Sequence, residues 1–231
     1  MRKYNKTLED LYNDLYENHY TMVEKPRYDV LDEVHSKIME DNIQGDVIEC
    51  GIWRGGCLVY LSYLFNDRKI WGFDSFCGFQ DTSDAKYEYG GERHTRELNL
   101  VGMLPGGHSI SIPIEDVQGT LTKFGLDKDK DVKLVPGYVR DTTDPKNLKN
   151  LKIDKIAVLR IDVDGYSPTM EVLVNMFDLV VPGGFIIFDD VPLHECRNAI
   201  SDFSRMREIP MPLEGDSKQD GYYGGCYYRK V

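Results

Sequence analysis

The strongest constraint on this chain is a set of five short apolar runs, each followed within two residues by a glycine or a carboxylate. They are Asp46-Val47-Ile48-Glu49-Cys50, Ile70-Trp71-Gly72-Phe73, Val132-Lys133-Leu134-Val135, Ile156-Ala157-Val158-Leu159-Arg160-Ile161 and Phe185-Ile186-Ile187-Phe188. Runs this short and nearly continuous in apolar residues read as strands buried on both faces. Helical spacings separate them. Val30, Leu31, Val34 and Ile38 form one face before the first run, and Cys57 to Phe65 reads as a buried helix after it. Ser167 suits an N-cap with Pro168 at the first helical position, for a helix running to about Leu179 and stopped by Pro182-Gly183-Gly184. Cys196, Ala199, Ile200, Phe203 and Met206 mark one more helix. Strands alternating with helices specify an α/β fold, a parallel sheet with helices on both faces. The tail, from about Pro212 to Val231, suits two strands around a turn at Asp220-Gly221.

A length of 231 residues fits one domain spanning 1–231. Residues 1–25 are polar and Tyr-rich and read as an arm that covers the site or a partner subunit. Residues 81–113 form a long stretch punctuated by glycine pairs, which suits a substrate lid. The net charge of −11, with no Lys/Arg cluster longer than a pair, argues against nucleic-acid binding. Five cysteines without a CxxC argue against structural zinc and a disulfide framework and fit a reducing cytoplasm. There is no apolar signal core at the start, and no run approaches the roughly 20 residues of a membrane span.

Ligands of such sheets sit at the carboxyl ends of the strands, near the topological switch. The first strand ends in Glu49-Cys50-Gly51-Ile52-Trp53-Arg54-Gly55-Gly56. Gly51, Gly55 and Gly56 allow a tight turn and close approach to a ligand. The spacing is not GxGxxG, and Glu49 would repel a pyrophosphate. A carboxylate there suits the cationic methionyl part of S-adenosylmethionine. Asp74, followed by Ser75 at the second strand's end, is placed to accept from ribose hydroxyls, or else to cap a helix. Gly137, after the third strand, lies near where an adenine ring would rest, and Trp53 suits the core or the cofactor wall.

The fourth and fifth strands end in Asp162-Val163-Asp164-Gly165 and Asp189-Asp190. Neighbouring strands lie about 4.8 Å apart, so four carboxylates meet in a small volume. Either pair alone suits a helix start. Together they favour an oxygen-ligated divalent cation such as Mg²⁺, Mn²⁺ or Ca²⁺. If the strand continues, Asp162 and Asp164 point to the same side. His94, His108 and His194 are candidates to act as a base or to orient an acceptor, as most solvated loop histidines do not, and Tyr166 is a candidate acceptor contact.

These residues, with Asp74-Ser75-Phe76 and Gly78-Phe79, Ser167 and Thr169, Pro182-Gly183-Gly184 and the closing Tyr227-Tyr228-Arg229-Lys230, resemble the TylF-type macrocin O-methyltransferases over roughly 20–231. The resemblance implies a Rossmann-like class I methyltransferase fold, with a mostly parallel seven-stranded sheet and an antiparallel C-terminal hairpin. It implies S-adenosylmethionine, Mg²⁺ (or Mn²⁺) and a sugar-hydroxyl acceptor. By position, Asp162, Asp189 and Asp190 would ligate the metal, and Asp164 would be the general base. It also implies a homodimer formed through N-terminal elements. The rival readings are a catechol-like acceptor, a nucleotide-binding oxidoreductase and a non-catalytic binding protein on a similar fold.

Overall fold

The computed structural model describes residues 5, 7–79, 110–215, 218–219, 222–223 and 225–231. Most of the expected lid, with His94 and His108, lies outside the described residues. Strands β1 (Asp46–Cys50), β2 (Ile70–Asp74), β3 (Val132–Pro136), β4 (Ile156–Ile161) and β5 (Val180–Phe188) pair in parallel, and the last strand, Cys226–Arg229, runs antiparallel to β5. The order β3-β2-β1-β4-β5 reverses between β1 and β4, which opens the crevice that holds the site.

Eight α-helices are described: α1 (Leu8–Glu17), α2 (Lys25–Glu40), α3 (Gly56–Leu64), α4 (Ile114–Lys123), α5 (Val139–Thr142), α6 (Pro145–Leu151), α7 (Tyr166–Met176) and α8 (His194–Arg207). One core joins α1 to α4 to one sheet face through Leu15, Val34, Leu58, Val117 and Val47. The other joins α5 to α8 to the opposite face through Leu148, Leu173, Phe203, Ile48 and Leu159. Val47 and Ile48 point to opposite faces because side chains alternate along a strand. No helix among the described residues is long and apolar enough to cross a membrane.

Several expectations shift. Among the described residues the main sheet has six strands rather than the expected seven. Where a further edge strand would lie, only an isolated bridge forms, Glu214 to Tyr227. Pro210 and Pro212 precede it, and each removes a ladder donor. Strands β6 (Lys218–Gln219) and β7 (Tyr222–Tyr223) flank positions 220–221 as a separate antiparallel pair, so Cys226–Arg229 is β8. Pro182-Gly183-Gly184 lies inside β5 rather than before it, where the register against β4 shifts. Helix α7 starts at Tyr166 with Gly165 as its cap, ahead of the expected Ser167.

From Thr7 on, the N-terminal segment is helical and packs into the core. Thr7 and Asp10 form a capping box at α1. Leu11, Tyr12 and Leu15 are then buried, with Leu11 and Leu15 fully so. The chain returns over the top of α3, where the Gly56 N–H donates to the Tyr20 carbonyl at 3.0 Å.

Gly51 decides how closely β1 and β4 meet. Its φ is +86°, and an added Cβ would lie 1.6 Å from the Asp162 carbonyl oxygen. We therefore expect Gly51→Ala to destabilise the protein by roughly 3 kcal/mol or more, through backbone strain and a clash with main chain that cannot move aside. Thermal unfolding against the wild type checks this, and an unchanged Tm would refute it.

Candidate functional site

The strand ends surround a cavity of about 660 Å³. Glu49, Gly51, Trp53, Asp74, Ser75, Asp162, Asp164, Asp189 and Asp190 all line it. Gly55 and Gly137 do not: Gly55 caps α3 in the left-handed region, and Gly137 donates its N–H to the Asp74 carbonyl at 2.9 Å. Gly51 lines the cavity, and its missing Cβ also makes room for the Asp162 carbonyl. His194 and Tyr166 also stand outside the lining; His194 pairs with Asn198, and Tyr166 donates to Asp202 at 2.9 Å.

Arg160 organises the floor. A guanidinium within an apolar strand cannot be left unpaired. Arg160 is 1% exposed, and its NH1 donates to Glu49 Oε1 at 2.7 Å and sits 2.8 Å from Asp162 Oδ2. Its NH2 donates to Asp189 Oδ1. Arg27, from the first turn of α2, donates to the other Asp189 oxygen. The sequence reading gave neither arginine a role. Arg160 carried a signal, since a charged residue in a fully buried strand must have partners. Arg27 carried none, because its partner is 162 residues away.

Asp162, Asp189 and Asp190 each present an oxygen within 4.8 Å of the others. Asp190 has no ion pair among the described residues and accepts the Asp164 N–H at 2.9 Å. Asp164 stands outside the trio. The strand does not continue to it, because β4 ends at Ile161 and Asp164 takes φ +58°. The alternation argument for Asp162 and Asp164 therefore fails, and a left-handed turn brings both to the cavity.

The charges do not balance. Among the described residues, Glu49, Asp162, Asp189 and Asp190 share two cations, Arg27 and Arg160, leaving these four with a formal charge of −2. Burial pushes the Glu49 carboxyl up to about 7, opposed chiefly by Arg160. Burial, then the Asp189 charge, raises Asp162, and burial with Asp164 and Asp162 raises Asp190. Although Asp162 keeps 24% of its side chain exposed, that surface opens into the crevice. Three all-oxygen ligands with surplus negative charge fit a divalent cation.

On the cofactor side, Asp74 accepts the N–H groups of Ile52 and Phe76, each at 2.7 Å, so it first fastens the turns after β1 and β2. Burial still raises its carboxyl. Glu49 Oε2 is buried with no hydrogen-bond partner among the described residues. Trp53 takes φ +50°, with the Arg54 guanidinium over its ring.

The sequence model of the Macrocin-O-methyltransferase (TylF) family matches residues 1–230. The chain belongs to this family. It is an S-adenosylmethionine-dependent O-methyltransferase. It is similar to the mycinamicin III 3''-O-methyltransferase of Micromonospora griseorubida, at 31% identity over 91% of this chain and 78% of that protein. It is also similar to the 8-demethyl-8-(2,3-dimethoxy-alpha-L-rhamnosyl)-tetracenomycin-C 4'-O-methyltransferase of Streptomyces olivaceus, at 30% identity over 91% and 75%. The O-methyltransferase NovP structure superposes with a TM-score of 0.76 at 26% identity, covering 92% of this chain and 82% of that one. Family membership replaces the oxidoreductase and non-catalytic readings, and the mostly parallel sheet of this methyltransferase is the expected class I fold.

A carboxyl raised on folding favours the folded state most below its ordinary value, and that contribution is lost as pH rises through the folded value. For Glu49 the window runs from 4.5 to about 7, and Asp162 and Asp190 shift in the same direction. Glu33 and Asp178 are lowered from values of 4.5 and 3.8, so they act at lower pH. In chelator, Tm should therefore fall between about pH 5 and about pH 8, and Mg²⁺ should flatten that slope by taking up the surplus charge. Scanning calorimetry across this range checks it; a slope unaffected by Mg²⁺ would contradict the charge argument.

Proposed function

We propose that this methyltransferase acts with a divalent cation on a hydroxyl of a sugar unit in a small-molecule acceptor. The observation that carries the metal part is the carboxylate trio, three oxygens within 4.8 Å at the floor of the cavity. The acceptor class rests on the relatives, whose names describe 3''-O-methylation of mycinamicin III and 4'-O-methylation of a rhamnosyl-bearing tetracenomycin.

Asp162, Asp189 and Asp190 hold the cation, which when bound supplies Lewis-acid stabilisation of charge growing on the acceptor oxygen. S-adenosylmethionine supplies the electrophilic methyl group. Arg160 fixes the direction of Asp162 and Asp189. Glu49, Asp74 and Ser75, with Gly51 and Trp53, receive the cofactor along the β1 and β2 ends. Gly55 and Gly137 shape the turns behind it. Ile52, Phe73 and Val163 supply apolar wall that keeps water from the reacting atoms.

Asp164 takes the hydroxyl proton. A carboxylate held by a divalent cation is a poor proton acceptor, because the cation stabilises its charged form. Asp164 lies outside the trio yet is tied to it through its N–H on Asp190. Its left-handed backbone is local strain of the kind found at active sites.

Asp164→Asn preserves shape but removes the base, so kcat should fall roughly 10²–10⁴-fold with cofactor affinity retained. Asp190→Asn should weaken Mn²⁺ binding and be partly rescued by excess cation. Both are read from labelled methyl transfer across a Mn²⁺ titration, over glycosides, nucleotide-linked sugars and catechols. Full turnover in chelator would refute the metal role, and transfer to catechols alone would refute the sugar acceptor.

A further inference from the structure

Asp189 is a ligand in the proposed trio, yet both of its oxygens are already engaged. Oδ1 takes Arg160 NH2, and Oδ2 takes Arg27 NH1. The two arginines differ in kind. Arg160 is fully buried in β4 and also holds Glu49 and Asp162, so it cannot leave without stranding three carboxylates. Arg27 keeps 26% of its side chain exposed, and Asp189 is the one partner in its only ion pair among the described residues. It also feels the charges of Asp162 and Asp190, the other two members of the trio.

We propose that Arg27 is an internal counter-cation that shares Asp189 with the divalent ion, so that its guanidinium sets the affinity of the cation site. This rests on the metal reading above. Two like charges cannot both claim the same carboxylate oxygen at full strength in a half-buried site. Either the guanidinium swings towards the cavity mouth, for which its exposure leaves room, or it stays and weakens the cation. In both cases removing it strengthens cation binding. A guanidinium whose task was to orient Asp189 for the ion would do the opposite. Arg27 opens α2 just after the segment Tyr20–Val23, which lines the same cavity.

The test titrates Mn²⁺ alone into the full-length protein, without cofactor or acceptor, and follows free Mn²⁺ by electron paramagnetic resonance. Arg27→Gln should bind Mn²⁺ roughly 10- to 100-fold more tightly than wild type, the scale of one charged hydrogen bond. Its Tm should be lower in chelator and rise further on adding Mn²⁺. Arg27→Lys keeps the charge and should stay near wild-type affinity, which separates charge competition from lost packing. Unchanged or weaker binding in Arg27→Gln, with wild type binding normally, overturns this proposal and leaves the metal reading standing. No Mn²⁺ binding in any of the three proteins overturns both.

Discussion

The Arg160 guanidinium is the interaction on which the rest of the site depends. It is buried in the strand beside the topological switch and faces carboxylates from three strand ends, Glu49 of β1, Asp162 after β4 and Asp189 after β5. Desolvating one charge costs several kcal/mol, and only close, multiple pairing offsets it. The pairing fixes the relative positions of β1, β4 and β5 at their carboxyl ends. It also fixes the direction of two of the three oxygens in the acidic trio. Stability and site geometry are thus set by the same few atoms.

Arg160 and Arg27 together still leave the floor negative. Proteins hold such an excess only by protonating some of the acids or by taking up a cation. Burial raises Glu49, Asp162 and Asp190, which is the first of these responses. A methyltransferase that binds a divalent ion uses the second. The crevice stores this unfavourable charge where a ligand can relieve it, and the cores above and below tolerate the cost because both are densely apolar.

Backbone contacts set the scale of the crevice. Gly51 allows the Asp162 carbonyl against it, and the Asp162 N–H in turn donates to the Cys50 carbonyl at 2.9 Å. Asp74 ties the turns after β1 and β2 by accepting two backbone N–H groups. The N-terminal chain joins through Gly56, where an added Cβ would stand 2.4 Å from the Tyr20 oxygen. Residues far apart in sequence therefore approach to a tolerance that only main chain without side chains permits.

The five parallel strands, the two faces of helices and the acids at strand ends were legible in the sequence, because each rests on local pattern and on the rule that such sheets bind ligands at their carboxyl edge. The first helix was legible in principle, through Leu8, Leu11, Tyr12 and Leu15 at helical spacing, but its polar surroundings hid it. The lack of a seventh strand among the described residues agrees with Pro210 and Pro212 before Glu214. Other features belong to tertiary structure alone. The alternation rule placed Asp162 and Asp164 on one side of a strand, whereas a left-handed turn placed them at the cavity. Arg27 reaches Asp189 from the far end of the chain, and the missing Cβ of Gly51 makes room for the carbonyl at β4's exit. The sequence determines which residues must be buried and which chemical groups stand at strand ends, since those follow from short-range periodicity and desolvation. Which charge neutralises which, and which oxygens remain for a cation, is decided only when the folded chain brings distant groups within a few ångströms, because electrostatic pairing depends on distance in space and not on separation along the chain.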